Sequence, residues 1–97
     1  MPADKNPEKG LVTKQGLKML FNDEKQLVSI STSDDSLITI NGKEKTILIS
    51  DANKNAVKLS EQGITLQSDK DIIIKAGANI KIEGKAVEIK GNKVDII

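Results

Sequence analysis

Apolar residues recur two apart along most of this chain. Leu17/Met19/Phe21, Val28/Ile30, Ile38/Ile40, Ile47/Ile49, Val57/Leu59, Ile64/Leu66, Ile72/Ile74, Ile80/Ile82, Val87/Ile89 and Val94/Ile96 make ten such units. Alternation of this kind predicts a short half-buried β-strand at each unit. Turn formers separate them, among them Asn22-Asp23, Ser33-Asp34-Asp35-Ser36, Asn41-Gly42, Asp51-Ala52-Asn53-Lys54-Asn55, Ser68-Asp69 and Gly91-Asn92. Nothing has the period of a useful helix. The polar segment from Met1 to Gly10, which holds both prolines, reads as a flexible tail or linker. The expected organisation is a tail over residues 1–11, a β-meander over 12–55 and a short-period repeat over 56–97.

The step from one unit to the next changes along the chain. From Val28 it is 10, 9 and 10 residues, and from Val57 it becomes 7, 8, 8, 7 and 7. The second half is therefore a repeat, clearest in Gly77-Ala-Asn-Ile-Lys-Ile-Glu, Gly84-Lys-Ala-Val-Glu-Ile-Lys and Gly91-Asn-Lys-Val-Asp-Ile-Ile. Repeats decide architecture. A coiled-coil seam alternates steps of three and four, whereas the apolar steps here alternate two and five, with a glycine in each repeat. The pattern predicts a β-solenoid or β-prism with Ile and Val on an axis and glycine at the corners, where a positive φ or a close approach is cheap. Gly63, Gly77, Gly84 and Gly91 are the predicted corners. Lys75, Lys81, Glu83, Glu88, Lys90 and Asp95 fall on the outward side with mixed sign, suited to pairing between neighbouring strands.

Such strands enclose a core only by closing around an axis. One chain winding three strands per coil would use about 21–24 residues a turn, so the roughly 40 residues of the second half make fewer than two coils, too few to stabilise a stacked solenoid. Three chains wound together each supply one side at every level, and each step rises by one strand spacing, about 4.8 Å. The expectation is an all-β fold, an intertwined trimeric β-prism (a triangular β-helix) whose N-terminal part is a strand meander. Its inward core is Val57, Leu59, Ile64, Leu66, Ile72, Ile74, Ile80, Ile82, Val87, Ile89, Val94 and Ile96. Under strict alternation Leu20, Leu37, Leu48 and Ile73 face away from the axis, which suggests that neighbouring chains cover part of the outside.

Composition sharpens this picture mainly by what it removes. The 97 residues contain 15 lysines, no arginine, no His, Cys, Trp or Tyr, and one aromatic, Phe21. Imidazole, thiolate and soft-ligand chemistry are excluded. The core must be aliphatic: Ile 14, Leu 8 and Val 5, an isoleucine share that favours strands. A net charge of +1, with lysines interleaved among acids, gives no footprint for nucleic acid, and there is no aromatic platform for single strands. The first residues lack the apolar stretch of a signal peptide, and no apolar run is long enough to span a membrane as a helix.

Candidate chemical sites reduce to turns. Asp34-Asp35 is a carboxylate pair, but Ser-Asp-Asp-Ser between strands is a turn signature. Asp69 and Asp71 open like a calcium loop without its glycine or distal Glu. Asn41-Gly42 is a hairpin signal, and the corner glycines lack any phosphate-loop context. No catalytic residue, cofactor or metal ligand is expected, and no enzymatic activity.

Two stretches carry a family resemblance. Asp71-Ile-Ile-Ile-Lys-Ala-Gly-Ala-Asn-Ile-Lys-Ile-Glu-Gly-Lys-Ala-Val-Glu-Ile-Lys-Gly resembles the C-terminal needle of VgrG spike proteins of the type VI secretion system and of related central spikes of contractile phage tails. Gly16-Leu-Lys-Met-Leu-Phe-Asn-Asp-Glu-Lys is similar to the stretch that opens that needle. Together they cover about residues 12–97, without the base domains and the oligonucleotide/oligosaccharide-type barrel that precede the needle in whole family members. The resemblance implies a homotrimeric, membrane-puncturing needle that carries effectors. A PAAR-type tip protein would dock on the end formed by Val94, Ile96 and Ile97. Such a part is assembled in the cytoplasm of the producing cell, or on a virion tail, and driven through a target-cell envelope. Axial histidine-metal sites of some phage spikes have no counterpart here. The alternative is a trimeric β-prism adhesin or tail-fibre module that binds a surface receptor.

Overall fold

The computed structural model describes residues 8–95, which are all-β with no helix among them. Seven five-residue strands form one open antiparallel sheet in chain order: β1 Glu8–Val12, β2 Lys18–Asn22, β3 Leu27–Ser31, β4 Leu37–Asn41, β5 Thr46–Ser50, β6 Ala56–Ser60 and β7 Gly63–Gln67. The sheet does not close into a barrel, so β1 and β7 are both edges. Seven strands at about 4.8 Å spacing span about 29 Å in the stacking direction. Overall the chain extends 63 × 31 × 27 Å with a radius of gyration of 18.6 Å, against about 12.5 Å for a compact domain of this length.

Each ladder pairs residues of the same side-chain parity, which keeps one face apolar across the sheet. One row runs Leu11, Met19, Ile30, Ile38, Ile49, Val57, Leu66, each opposite the next. Beside it runs Phe21, Val28, Ile40, Ile47, Leu59, Ile64. The first six of the ten strand units of the sequence, through Ile64/Leu66, thus appear in their expected places, with two adjustments. Leu17 belongs to the β1–β2 loop, where its amide donates to Thr13 Oγ1 at 3.0 Å and its carbonyl accepts from Thr13 N at 2.8 Å. The sheet also begins earlier and ends later than expected. β1 occupies residues assigned to a tail, and the meander runs through Gln67, past the boundary set at residue 55.

A second regularity lies in the loops. Those between β1–β2, β3–β4 and β5–β6 have five residues (13–17, 32–36, 51–55), and those between β2–β3 and β4–β5 have four (23–26, 42–45). Equivalent positions therefore recur every 19 residues. The five-residue loops open with Thr13, Thr32 and Asp51, each of whose amides donates to the carbonyl four residues on, at 2.8, 3.0 and 3.2 Å. Their left-handed residues are Gly16, Asp35 and Lys54, with φ of 89°, 72° and 67°. At the other side Asn22 Oδ1 and Asn41 Oδ1 each accept a backbone amide three residues on, at 3.0 Å, and Ser60 Oγ takes that role for Gln62 N at 3.2 Å. Gly42 N donates to Gln26 O at 2.8 Å and so ties one four-residue loop to the next.

Asn41-Gly42 does start a hairpin turn, but the positive φ falls on Lys45 (57°), as it does on Gln26 (55°) one module earlier. A side chain in that region costs about 1 kcal/mol relative to glycine. Gln26→Gly and Lys45→Gly are accordingly expected to raise stability by up to about 1 kcal/mol each, measured by chemical denaturation; a fall at both positions contradicts the turn assignment.

After Gln67 the architecture changes. Residues 68–95 run between bends at Asp69-Lys70, Gly77-Ala78, Lys85-Ala86 and Gly91-Asn92 as an extended segment and take no ladder partner within the chain. The units Ile72/Ile74, Ile80/Ile82 and Val87/Ile89, and Val94 of the last unit, therefore lack the pairing that defines a strand. Gly63 is the last residue that permits a reversal: its φ of 122° closes the two-residue turn between β6 and β7. Gly77, Gly84 and Gly91 do not have positive φ, which corrects half of the reason expected for them. Close approach holds for Gly84, where a Cβ would lie 3.2 Å from Ala86 O, while Gly77 has open space.

Candidate functional site: an uncovered apolar face

Alternation and ladder register place the apolar side chains of the sheet on one face, yet none of the described residues is buried. Val57 and Leu59 are half-buried and meet Leu66 and Ile64 across the β6–β7 ladder. Ile64 is 74% exposed and Ile82 70%. Ile72, Ile74, Ile80, Val87, Ile89 and Val94 are exposed as well. The predicted inward set is thus brought together in the hairpin and lined along one extended chain beyond it, without a core of its own. Of the predicted tip-docking end only Val94 is described; Ile96 and Ile97 lie outside the described residues.

The scale of this exposure is large. A compact monomer of 10.5 kDa exposes about 5,400 Å² and its unfolded chain about 15,000 Å². This chain exposes 9080 Å². It has removed roughly 40% of its unfolded surface from water, where about 65% is normal at this size. The excess of about 3,700 Å² counts polar and apolar surface together, and the side chains of the two apolar rows, such as Ile38, Ile40 and Ile49, contribute to it.

The opposite face of the sheet is mixed. Leu20 sits between Gly10 and Ser29, and Leu48 between Thr39 and Lys58, each half-buried by its small or flexible neighbours. Leu37, between Ser31 and Ser50, follows the same pattern. These residues were expected to face away from the main apolar side, and they do. Concavities in the surface are open troughs, one of about 580 Å³ beside loop 32–36, lined by Lys18, Ser33, Asp35 and Ser36 among others.

Asp34, of the candidate carboxylate pair, and Asp51, of a predicted turn, both have their carboxylates taken up by turn hydrogen bonds. Asp34 accepts a hydrogen bond from the Thr32 hydroxyl and another from Ser36 N at 3.3 Å. Asp51 Oδ1 accepts Asn53 N at 2.9 Å and Asn55 N at 3.0 Å, while its Oδ2 accepts Asn55 Nδ2 at 2.9 Å. The Thr32 hydroxyl holds the Asp34 carboxyl below its ordinary value, and the Asn55 amide does so for Asp51. A carboxyl depressed by folding stabilises above its unfolded pKa, near 3.9, and loses that contribution as pH falls through its folded value. Thermal melts should therefore weaken on acidification below about pH 4, and a double variant Asp34→Asn, Asp51→Asn should show a shallower dependence. An unchanged pH profile in that variant refutes the contribution of these two carboxylates to stability.

Sequence reasoning missed Leu11 and its strand. The signal was present in the 19-residue module, which aligns Leu11 with Ile30 and Ile49. Comparison of the sequence with known protein families gives no match, and neither does comparison with curated proteins.

Proposed function

We propose that this chain is the needle of an envelope-puncturing spike, working as an intertwined homotrimer with no enzymatic activity. One observation carries the reading: an aliphatic chain with no buried side chain among its described residues, whose apolar surface is arranged in straight rows. Three chains wound about a common axis would turn those rows inward and supply the strand partners that residues 68–95 lack. A face-to-face pair of sheets would cover the meander but leave the extended segment without ladders on both sides, and ordering each residue costs about 1–2 kcal/mol of backbone entropy with nothing to offset it.

Mechanical work suits such a part. With strands lying across the rod, interstrand hydrogen bonds run along it and share an axial load, and assembly shields the edges that a lone sheet exposes. The resemblance of residues 12–97 to VgrG-type needles supplies the setting: a contractile injection machine, assembled in the cytoplasm and fired into a target envelope, with effectors aboard. A PAAR-type tip protein would sit on the end that holds Val94, Ile96 and Ile97.

The native mass tests the reading directly. Light scattering of the whole chain should give about three times the 10.5 kDa chain mass, about 31.5 kDa, for every folded species. A folded species at one chain's mass overturns it. Capture of a PAAR-type protein by the trimer, lost on deleting residues 91–97, tests the tip; capture of a glycan or receptor with no affinity for such a protein would instead assign an adhesin.

A further inference from the structure

We propose that Asn41-Gly42 is a site of spontaneous backbone modification, and that the tie between loops 23–26 and 42–45 holds the reaction off while the meander is folded. The proposal stands on the sheet alone and does not depend on the assembly above. Asn41 is the one asparagine of the sequence followed by glycine. Glycine leaves the attacking nitrogen without a side chain beside it to obstruct the approach. In the reaction Gly42 N gives up its proton and bonds to Asn41 Cγ, the Cγ–Nδ2 bond breaks, and ammonia leaves with that proton. Water then opens the resulting succinimide at either carbonyl. Opening at Cγ gives aspartate, whereas opening at the main-chain carbonyl gives isoaspartate, whose backbone runs through Cβ and Cγ.

The folded turn engages both reacting groups elsewhere. Gly42 N donates to Gln26 O at 2.8 Å, and Asn41 Oδ1 accepts from Glu44 N at 3.0 Å. A nitrogen whose proton is held in a short hydrogen bond is not free to lose it, and a side-chain amide pinned across the turn is not free to swing onto that nitrogen. The same contact explains why glycine stands there. A Cβ at Gly42 would lie 3.1 Å from Gln26 Cβ and 3.2 Å from Gln26 O, tighter than ordinary contact, so glycine lets the loops approach this closely. One module upstream Asn22 Oδ1 accepts the equivalent bond, from Lys25 N at 3.0 Å, but the next residue is Asp23, whose side chain obstructs the attack. Asn22 is therefore a control within the chain. Isoaspartate at position 41 would lengthen the backbone at the end of β4, where Asn41 pairs with Leu27 and Thr46, and ladder register is what keeps the apolar face continuous.

Ageing the full chain in mildly alkaline buffer, with and without denaturing urea, tests the site, with peptide mapping that separates asparagine, aspartate and isoaspartate at positions 22 and 41. In urea both products should accumulate at 41 well ahead of 22, and in buffer alone the reaction at 41 should slow about tenfold or more, because it waits for the loop tie to open. Equal rates at 22 and 41 in urea overturn the site; equal rates at 41 with and without urea overturn the protection. Two variants separate the chemistry from the fold. Asn41→Ser keeps a turn acceptor of the kind that Ser60 Oγ supplies to Gln62 N, so it should fold and keep its melting temperature on ageing in urea and refolding. Asn41→Asp should melt close to the parent, while the isolated isoaspartate form should melt about 4 °C or more below it. An Asn41→Ser protein that ages as the parent does, or an Asn41→Asp protein that loses as much as the isoaspartate form, contradicts the proposal.

Discussion

Replacing Ile82 with aspartate is expected to abolish the assembled species. Within one chain Ile82 is 70% exposed, and a substitution at such a surface position changes stability by no more than about 0.5 kcal/mol. On the proposed axis the same position is enclosed by three copies, so the variant brings three carboxylates together in an aliphatic interior. An unpaired buried charge costs several kcal/mol per ion, and the three repel one another. Nothing offsets this among the described residues, none of which is buried within one chain. Native mass should fall from about three chains to one, with loss of the cooperative melt, while Ile82→Val should keep the assembly at a cost of about 0.5–1.5 kcal/mol per chain. An Ile82→Asp protein with unchanged mass and melt would show that this face is solvent and would remove the needle reading.

Gly63→Ala should be the most damaging glycine substitution in the chain's second half. Its φ of 122° lies where only glycine is at ease, and no atom stands within 4 Å of the position a Cβ would take. The cost is therefore conformational, about 1–3 kcal/mol, and falls on the hairpin that joins the meander to the extended segment. Gly77→Ala is the counterpart. That residue has open space and no positive φ, so the substitution should be neutral or stabilise by about 0.4–1 kcal/mol through the unfolded chain. Denaturation curves of the two variants decide the matter, and equal losses at both would restore the expectation that every corner glycine serves the same purpose.

The sheet was legible because alternation is a strong signal wherever one face is apolar: Ile38/Ile40 and Ile47/Ile49 read as strands and pair as strands. The face itself was legible too, down to the outward leucines. What escaped was decided by backbone geometry. β1 carries Lys9 and Gly10 beside Leu11, too little alternation to stand out, and is held by its register with Met19 and Leu20. The corner glycines looked alike in sequence, yet only Gly63 takes the left-handed conformation, because only there does the chain reverse. Left-handed residues also fall on Gln26, Asp35, Lys45 and Lys54, where loop length rather than residue type imposes the conformation. The apolar face was visible as residue pairs at spacing two, from Met19 and Phe21 onward. Its continuity across the sheet, from Leu11 to Leu66, became clear only from the ladder.

The 19-residue spacing of the loops makes the meander a ruler. The two full modules, 8–26 and 27–45, each hold two strands and one loop of each length, and the bond from Gly42 N to Gln26 O ties one to the other, so a duplicated module could repeat that contact. Its addition would lengthen the stack by two strand spacings, about 9.6 Å. Reach could therefore be tuned in fixed increments by copying a segment such as 27–45, with the extended end and whatever it carries simply moved outward.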